Sequence, residues 1–584
     1  MGKLIEFEIE SIDLIDDEEG TKLIKLPELT KEEIEIIDPI VAPTSGLRIQ
    51  IYDIIEENKH YLLTRRKLFL FLRVFRAISE KFKELRNNQN LKILIVTDDR
   101  PSRKILLNYC SQIFAYDGFD IFYQEDELEE SRVSAPYGAA SVALYDDIDL
   151  IIVLTASHNE LSWNGIKLYI EYPIPMSGDI FKEISKKALE VKEIHLKSDF
   201  TPILIDPIMK NNEYVKDLLS DVLEIRNLKN NNIIIWPYLG KARGIVNLFK
   251  DYGANVILVD EEINPPNPIK VIHEEKLQEI MGKNNSTIAL LLDADRDRIA
   301  LYVKQNGKFY TYIPNEIYSA LHNILAKEYN KKIINVRTIP SDLRGDSSSF
   351  INILTGVGYK HLGLILYFLL GIDVDKSKVD AAILYFEDEN KQLIKINNSK
   401  PLLEHMNRLL DIQNIDNGKF VIMMWEESGG HTLQILSAKK DRESNQFRFS
   451  TKFPIIADKY PVPALVLITE LISRGHVISE SIDWSIVGIN RTISATDQEK
   501  IKIMKNFEKN DNKKVVVGDH EYMVHSLSDN NNMIDIYQLK RNEATLYFRP
   551  SGTGPDVRFY IFGKRESHLE EIKNVQTYIK ENYI

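Results

Sequence analysis

Short runs of consecutive apolar residues, separated by amphipathic stretches, set the rhythm of this chain. "LKILIVTDD" from Leu91 predicts a buried strand, and "RPSRKILLNYCSQIFAYDG" a helix ending near Gly118. "FDIFYQ" and "DLIIVL" predict two further strands. After a polar stretch near 205–212 the rhythm restarts with "NNIIIWPYLG", "GANVILVD" and "STIALLLD", with helical segments between them. A third round over roughly 313–455 contains "KKIINV", "AAILYFED" and "KFVIMMW". Such alternation predicts three similar α/β domains with mixed, mainly parallel sheets. From about residue 460 the pattern changes to one apolar helix, "VPALVLITELISRG", several polar strands and a last helix, which predicts a C-terminal α+β domain.

Length agrees with this division, since 584 residues are too many for one core and suggest about four domains. The expected boundaries are a 1–40 extension and domains at 41–207, 208–312, 313–459 and 460–584. The extension is acidic, with "IDDEEG" as a loop and "TKEE" from Thr30 as a capping box. "NNQN", "KNDNKK" and "DNNN" read as loop tips.

Charge and cysteine content narrow the function classes. With 87 acidic against 74 basic residues the formal charge is −13, which argues against a general nucleic-acid binder but leaves room for local basic pockets. Cys110 has no cysteine to pair with, as expected in a reducing compartment. No run of about 18 uncharged apolar residues is present, so no membrane partner is expected. "MGKLIEFEIE" lacks a basic-then-apolar leader, and a cytoplasmic protein is the expectation.

Ligand sites in open α/β sheets lie beyond the carboxyl ends of the strands. Three polar clusters follow predicted strands there: "LTASHNELSWNGIK" with Ser157 and an Asn-Gly turn signal, "LLLDADRDRIALY" with three aspartates, and "IMMWEESGGH" with Glu426. A fourth, "YFRPSGTGPDVRFY", lies in the last domain with Arg549 and Arg558. The anchors recur at near-even intervals, one per domain, so one central cleft built from four domains is the economical inference.

From about residue 41 onward, these stretches together resemble the α-D-phosphohexomutases, the family of phosphoglucomutase and phosphomannomutase. "PTSGLR" (43–48) resembles that family's opening T-S-G-x-R, and "DDRPS" (98–102) its D-x-R-x-S. "TASHN…NGIK" resembles the phosphoserine loop, "DADRDR" the metal loop, "EESGG" the sugar loop and "RPSGTGP…R" the phosphate loop. The resemblance implies that Ser157 carries the transferable phosphate and contributes an oxygen to a metal. It places His158 against the phosphate or the sugar, and Arg48 and Lys167 beside the phosphoryl group.

Two registers fit the aspartates. Matching Arg296 to the family's D-x-D-x-D-R arginine makes the first ligand Leu291; matching Arg298 keeps Asp293, Asp295 and Asp297, and is preferred because no ligand is lost. In an extended segment alternate residues project to one side, so the three carboxylates can converge on one cation. Oxygen-only ligands favour Mg²⁺. Arg296 stands where the family has a small residue.

The resemblance further implies substrate contacts from Arg298, from Gly358 and Lys360 in "VGYKHL", and from Glu426 and Ser428, whose E-E-S form is closest to glucose-type members. Lys459 in "ADKYP" matches a proton-transfer lysine, although the Asp-Gly that follows it elsewhere is Tyr460-Pro461 here. Arg549, Ser551, Gly552, Thr553 and Arg558 would hold a phosphate, with Asp556 adding a negative charge nearby. The implied activity is interconversion of sugar 1- and 6-phosphates, glucose before mannose, through a phosphoserine enzyme and a bisphosphorylated sugar. A sugar bisphosphate would be the primer, small sugar phosphates the partners, and a monomer or homodimer the assembly. A pentose-phosphate mutase and a non-catalytic paralogue kept for binding or assembly are the alternatives.

Overall fold

The computed structural model describes residues 6–16, 20–38, 46–55, 60–87, 91–379, 382–387, 393–396, 399–412, 417–441, 443, 446–527, 536–550, 556–564 and 568–583. The first large sheet runs in the order Ile203–Ile205, Asp120–Gln124, Lys92–Thr97, Leu150–Leu154, Trp163–Tyr169, Leu47–Gln50. Its first four strands are parallel, and Trp163–Tyr169 runs antiparallel to both of its neighbours. The central strands are apolar throughout because both faces are covered. Leu94 and Val96 point into one core, while Ile93 and Ile95 point into another.

The second sheet orders Asn255–Leu258, Asn232–Trp236, Ile288–Leu292, Ile299–Gln305 and Lys308–Tyr312. The third is built around Lys332–Thr338, flanked in parallel by Ile351–Thr355 and Asn417–Trp425, with antiparallel strands outside them. Each α/β sheet thus joins a set of three or four parallel strands to antiparallel ones. The last sheet is entirely antiparallel and packs on the helices Asp497–Lys509 and His568–Tyr583.

Two segments depart from the expected grouping. The acidic extension is woven into the first region: Glu6–Ile9 pairs with His60–Leu63, and Lys22–Lys25 with Glu193–Leu196. The helix Lys31–Ile37 carries the reciprocal capping box of Thr30 and Glu33, and Glu33 also holds Arg66 at 2.6 Å. The helix Val462–Ser473 belongs with the α/β cores, not with the final sheet. It packs on the helices Pro207–Ser220 and Pro314–Tyr329 and on the strand His431–Lys440. Its burial from Val462 to Ile472 explains why it is apolar on every side. Among the described residues, no helix is long and apolar enough to cross a membrane.

Candidate functional site

At the carboxyl end of Leu150–Leu154 the chain turns sharply, and Ser157 adopts φ +54°, a left-handed conformation that side chains other than glycine's disfavour. Its Oγ lies 3.2 Å from Asp293 Oδ2 and 3.3 Å from His158 Nδ1. The turn is held from behind by Arg100, whose side chain is fully buried. The guanidinium donates to the carbonyls of Ser157 (2.5 Å), Asn159 (2.7 Å), Glu160 (2.6 Å) and Trp163 (2.9 Å). Asp98 orients it by accepting from its Nε at 3.2 Å, and also accepts from Thr155 Oγ1 at 2.7 Å. Only a planar five-donor fork can satisfy this set. Within "DDRPS" nothing local to the sequence marks Arg100 for this role.

The Asn-Gly pair does not form the expected turn. Asn164 and Gly165 lie inside the strand Trp163–Tyr169, where a Cβ on Gly165 would stand 2.3 Å from the Leu47 carbonyl oxygen. Close strand approach requires the glycine.

Asp293, Asp295 and Asp297 converge as expected, with carboxylate oxygens within 4.8 Å of one another and all three side chains buried. The cause differs from the one inferred, because the segment is a tight turn instead of an extended strand. Arg296 N donates to Asp293 O at 3.3 Å, Arg298 N donates to Asp293 Oδ1 at 3.1 Å, and Arg296 adopts φ +64°. Leu291 points into a core, so it offers nothing to the cluster. Among the described residues, Asp295 Oδ1 and Asp297 Oδ1 are buried without a hydrogen-bond partner. Orphaned carboxylate oxygens at this spacing fit a hard divalent cation such as Mg²⁺.

Lysines and arginines counterbalance the acids. Lys167 Nζ lies 3.0 Å from Asp295 and 3.6 Å from Asp297, and Lys459 lies 3.6 Å from Asp297 and 2.8 Å from Glu426. Arg298 Nε is 3.5 Å from Asp297 and 3.8 Å from Asp293. Burial and the two neighbouring aspartates push the Asp293 carboxyl well above the usual range. Burial acts the same way on Asp297, but Lys459, Lys167 and Arg298 outweigh it and hold that group well below. Burial opposes charge on Lys167, yet Asp295 and Asp297 keep its ammonium charged. His158 is held neutral, first by burial and then by Arg298 and Arg48. Arg48 donates to Asn159 Oδ1 at 3.3 Å. The sequence-predicted Arg48, Ser157, His158, Lys167, Arg298, Glu426 and Lys459 therefore all meet around the three aspartates.

Arg296 leaves the cluster and reaches Asp99 Oδ2 at 2.8 Å and the Leu239 carbonyl at 2.7 Å. Tyr460-Pro461 is likewise structural. Tyr460 is buried, stacks on Tyr137 at 5.7 Å and donates to Asn211 Oδ1 at 2.8 Å.

The turn after Asn417–Trp425 closes through Glu426 N to Gly430 O at 3.0 Å, with Gly429 at φ +113°. Ser428 Oγ donates to the Glu426 carboxylate. Gly358 and Lys360 stand at the start of the helix Tyr359–Leu369, whose Tyr359 donates to Met424 O at 3.0 Å beside that turn. Glu427, which sequence reading passed over, accepts from Thr338 Oγ1 at 3.2 Å and faces Arg549 and Arg558. Burial and Glu426 push its carboxyl up, while the two arginines act against them. Arg549 and Arg558 are register partners on adjacent strands; Arg549 Nε is buried without a hydrogen-bond partner among the described residues, and Arg558 lies 3.5 Å from Asp556. Ser551, Gly552 and Thr553 lie outside the described residues.

Comparison with known proteins gives a consistent picture. Residues 66–195 match the family model described as phosphoglucomutase/phosphomannomutase, alpha/beta/alpha domain I. A phosphoglucosamine mutase of Dictyoglomus thermophilum is 26% identical over 271 residues, 44% of this chain and 53% of that protein. One from Thermoanaerobacter sp. is 30% identical over 181 residues, 29% and 38% of the two chains. The chain thus spans about half the length, or less, of these curated relatives. In fold, a putative phosphomannomutase from Thermus thermophilus matches with TM-score 0.59 and 15% identity, covering 93% of this chain and 99% of that one. Parafusin (phosphoglucomutase) from Paramecium matches in its open form with TM-score 0.56 and 13% identity, covering 93% and 92%.

Proposed function

We propose that this chain, whose residues 66–195 match the phosphoglucomutase/phosphomannomutase domain I model, is an α-D-phosphohexomutase that moves a phosphoryl group between two oxygens of a hexose phosphate through Ser157. The carrying observation is Ser157 Oγ placed 3.2 Å from Asp293, at the edge of a buried three-carboxylate cluster ringed by cations.

In this reading the phosphorylated Ser157 gives its phosphoryl group to a sugar hydroxyl. The Oγ–P bond breaks as the new O–P bond forms, and the hydroxyl proton leaves to a base. The neutral His158 imidazole is that base. Lys167, held charged, and Arg48 neutralise the phosphoryl oxygens in flight. Asp293, Asp295 and Asp297 would hold Mg²⁺, which supplies further charge neutralisation when bound. The sugar's other phosphate rests on Arg549 and Arg558 while Glu426 and Ser428 hold hydroxyls. The bisphosphate then turns over and returns its original phosphoryl group, the one first held on Arg549 and Arg558, to Ser157, so a trace of sugar bisphosphate primes a dephosphorylated enzyme.

Glu426-Glu427-Ser428 favours glucose phosphates, with mannose next. A second reading, an amino-sugar phosphate, is favoured by relatives that are named phosphoglucosamine mutases. A coupled assay on the 1-phosphates of glucose, mannose, glucosamine and ribose, with bisphosphate primer, tests the proposal. Turnover of a hexose phosphate is expected; activity on none, or on ribose alone, would overturn it.

A further inference from the structure

Arg296 is the strongest departure of this chain from the pattern its metal loop resembles, and the structure gives it a partner. Its side chain crosses from the second sheet's aspartate turn to the first region, where Nη2 meets Asp99 Oδ2 at 2.8 Å. The side chain is 4% exposed and that of Asp99 19%. Two backbone features are shaped around this contact. Arg296 itself sits at φ +64°, a conformation that a glycine would adopt at less cost. Gly240 sits at φ +65° directly against the acid, since a Cβ there would lie 2.0 Å from Asp99 Oδ2. Strain of this kind persists only where surrounding contacts over-determine it.

The contact joins the backs of two loops whose fronts hold the reacting groups. On one side, Arg296 N and Nη1 both reach Asp293 O, at 3.3 and 3.4 Å. On the other, Asp99 lies between Asp98 and Arg100, the pair that fixes the Ser157 turn. We propose that the Arg296–Asp99 ion pair is a positioning latch that sets the three-aspartate turn against the Ser157 loop, preforming the divalent-cation site. The inference rests on the phosphoryl-transfer reading for its purpose, but not for its measurement. Neither residue touches the cluster's carboxylates: Arg296 acts through the Asp293 peptide, and Asp99 through Arg100.

Groups that orient metal ligands from outside typically change affinity by about 10–100-fold when removed. Isothermal titration of Mg²⁺ into the full chain should show Arg296→Gly and Asp99→Asn each weakening binding by roughly tenfold or more. Arg296→Gly also relieves the left-handed strain, so its metal-free melting temperature should fall little. The charge-reversed double variant Arg296→Asp/Asp99→Arg should recover most of the affinity. A merely structural contact would lower melting temperature and leave the Mg²⁺ affinity of the folded protein unchanged, and that result would overturn the latch. So would two single variants that bind Mg²⁺ as wild type does. Failure of the mutase reading is separate, because it is scored by sugar turnover of the unaltered chain.

Discussion

Ser157 Oγ and Asp293 Oδ2 stand 3.2 Å apart although 136 residues separate them. They meet because Leu150–Leu154 and Ile288–Leu292, on different sheets, end at the same cleft. A serine hydroxyl that donates to a buried acid is fixed in direction, and a phosphate attached to it would enter the space the carboxylates border. Intact mass of freshly purified protein should show a fraction carrying one phosphate, absent in Ser157→Ala. A phosphate undiminished in that variant would remove Ser157 from the mechanism.

The three aspartates should respond to neutralisation with opposite signs. Asp293 is pushed up by burial and its acidic neighbours, so Asp293→Asn relieves repulsion and should raise the metal-free melting temperature. Asp297 is held down by Lys459, Lys167 and Arg298 despite its burial, so Asp297→Asn strands cations and should lower it. Mg²⁺ at about 100 times its dissociation constant stabilises by about 2.7 kcal/mol, and both variants should lose most of that shift. Differential scanning calorimetry with and without Mg²⁺ checks both signs. An Asp297→Asn protein that keeps the full Mg²⁺ shift would make the cluster a two-carboxylate site.

What the sequence revealed follows from which forces act locally. Runs such as "KILIVT" and "LIIVL" are buried on both faces, so their strands could be read directly. The helix Val462–Ser473 was equally visible, but its neighbours are chosen by shape: Tyr460 fits between Tyr137 and Tyr214, and no local signal carries that fit. The convergence of the aspartates was legible from their spacing, although the turn that produces it was not, because it depends on Arg296 accepting a left-handed φ. Arg100 was in plain view; its role emerges only when four carbonyl groups from residues 157–163 are brought round it.

Acid sensitivity should trace partly to an imidazole pair behind the Glu426–Gly430 turn. His322 Nε2 and His431 Nε2 are 3.1 Å apart, and both rings are fully buried. Burial pulls His322 to about 3 and His431 well below its usual value, the latter helped by His322. Their depressed folded values contribute stability that is present above about pH 6.5 and lost as pH falls toward 3. Asp98 acts oppositely: its burial raises it to about 6, so it stabilises as pH falls, and the test must be a difference between proteins. From pH 7 to 5 the wild type should lose roughly 2 kcal/mol per imidazole more than His322→Leu/His431→Leu. Urea titrations at both pH values measure this, and parallel pH curves would show that the pair carries no linkage.

The last expectation separates the two readers of the cleft. Arg549 and Arg558 would hold the phosphate that is not being transferred, whose charge is constant through the reaction. A charge-assisted hydrogen bond contributes about 1.5–3 kcal/mol, or roughly tenfold to a hundredfold in binding. Losing Arg558 should therefore weaken ground and transition states alike, raising KM more than it lowers kcat. Glu426 is placed differently, because Lys459 at 2.8 Å and Ser428 both bind its carboxylate, and Lys459 also reaches Asp297 at 3.6 Å. A sugar hydroxyl held there is tied through Lys459 to the reacting cluster, so its orientation sets the line of attack. Glu426→Ala should lower kcat and change the ratio between glucose and mannose phosphates, whereas Arg558→Ala should leave that ratio alone. Steady-state kinetics of both variants on both sugars decides between them. Equal loss on the two sugars at unchanged kcat with Glu426→Ala would take the sugar-reading role away from this turn.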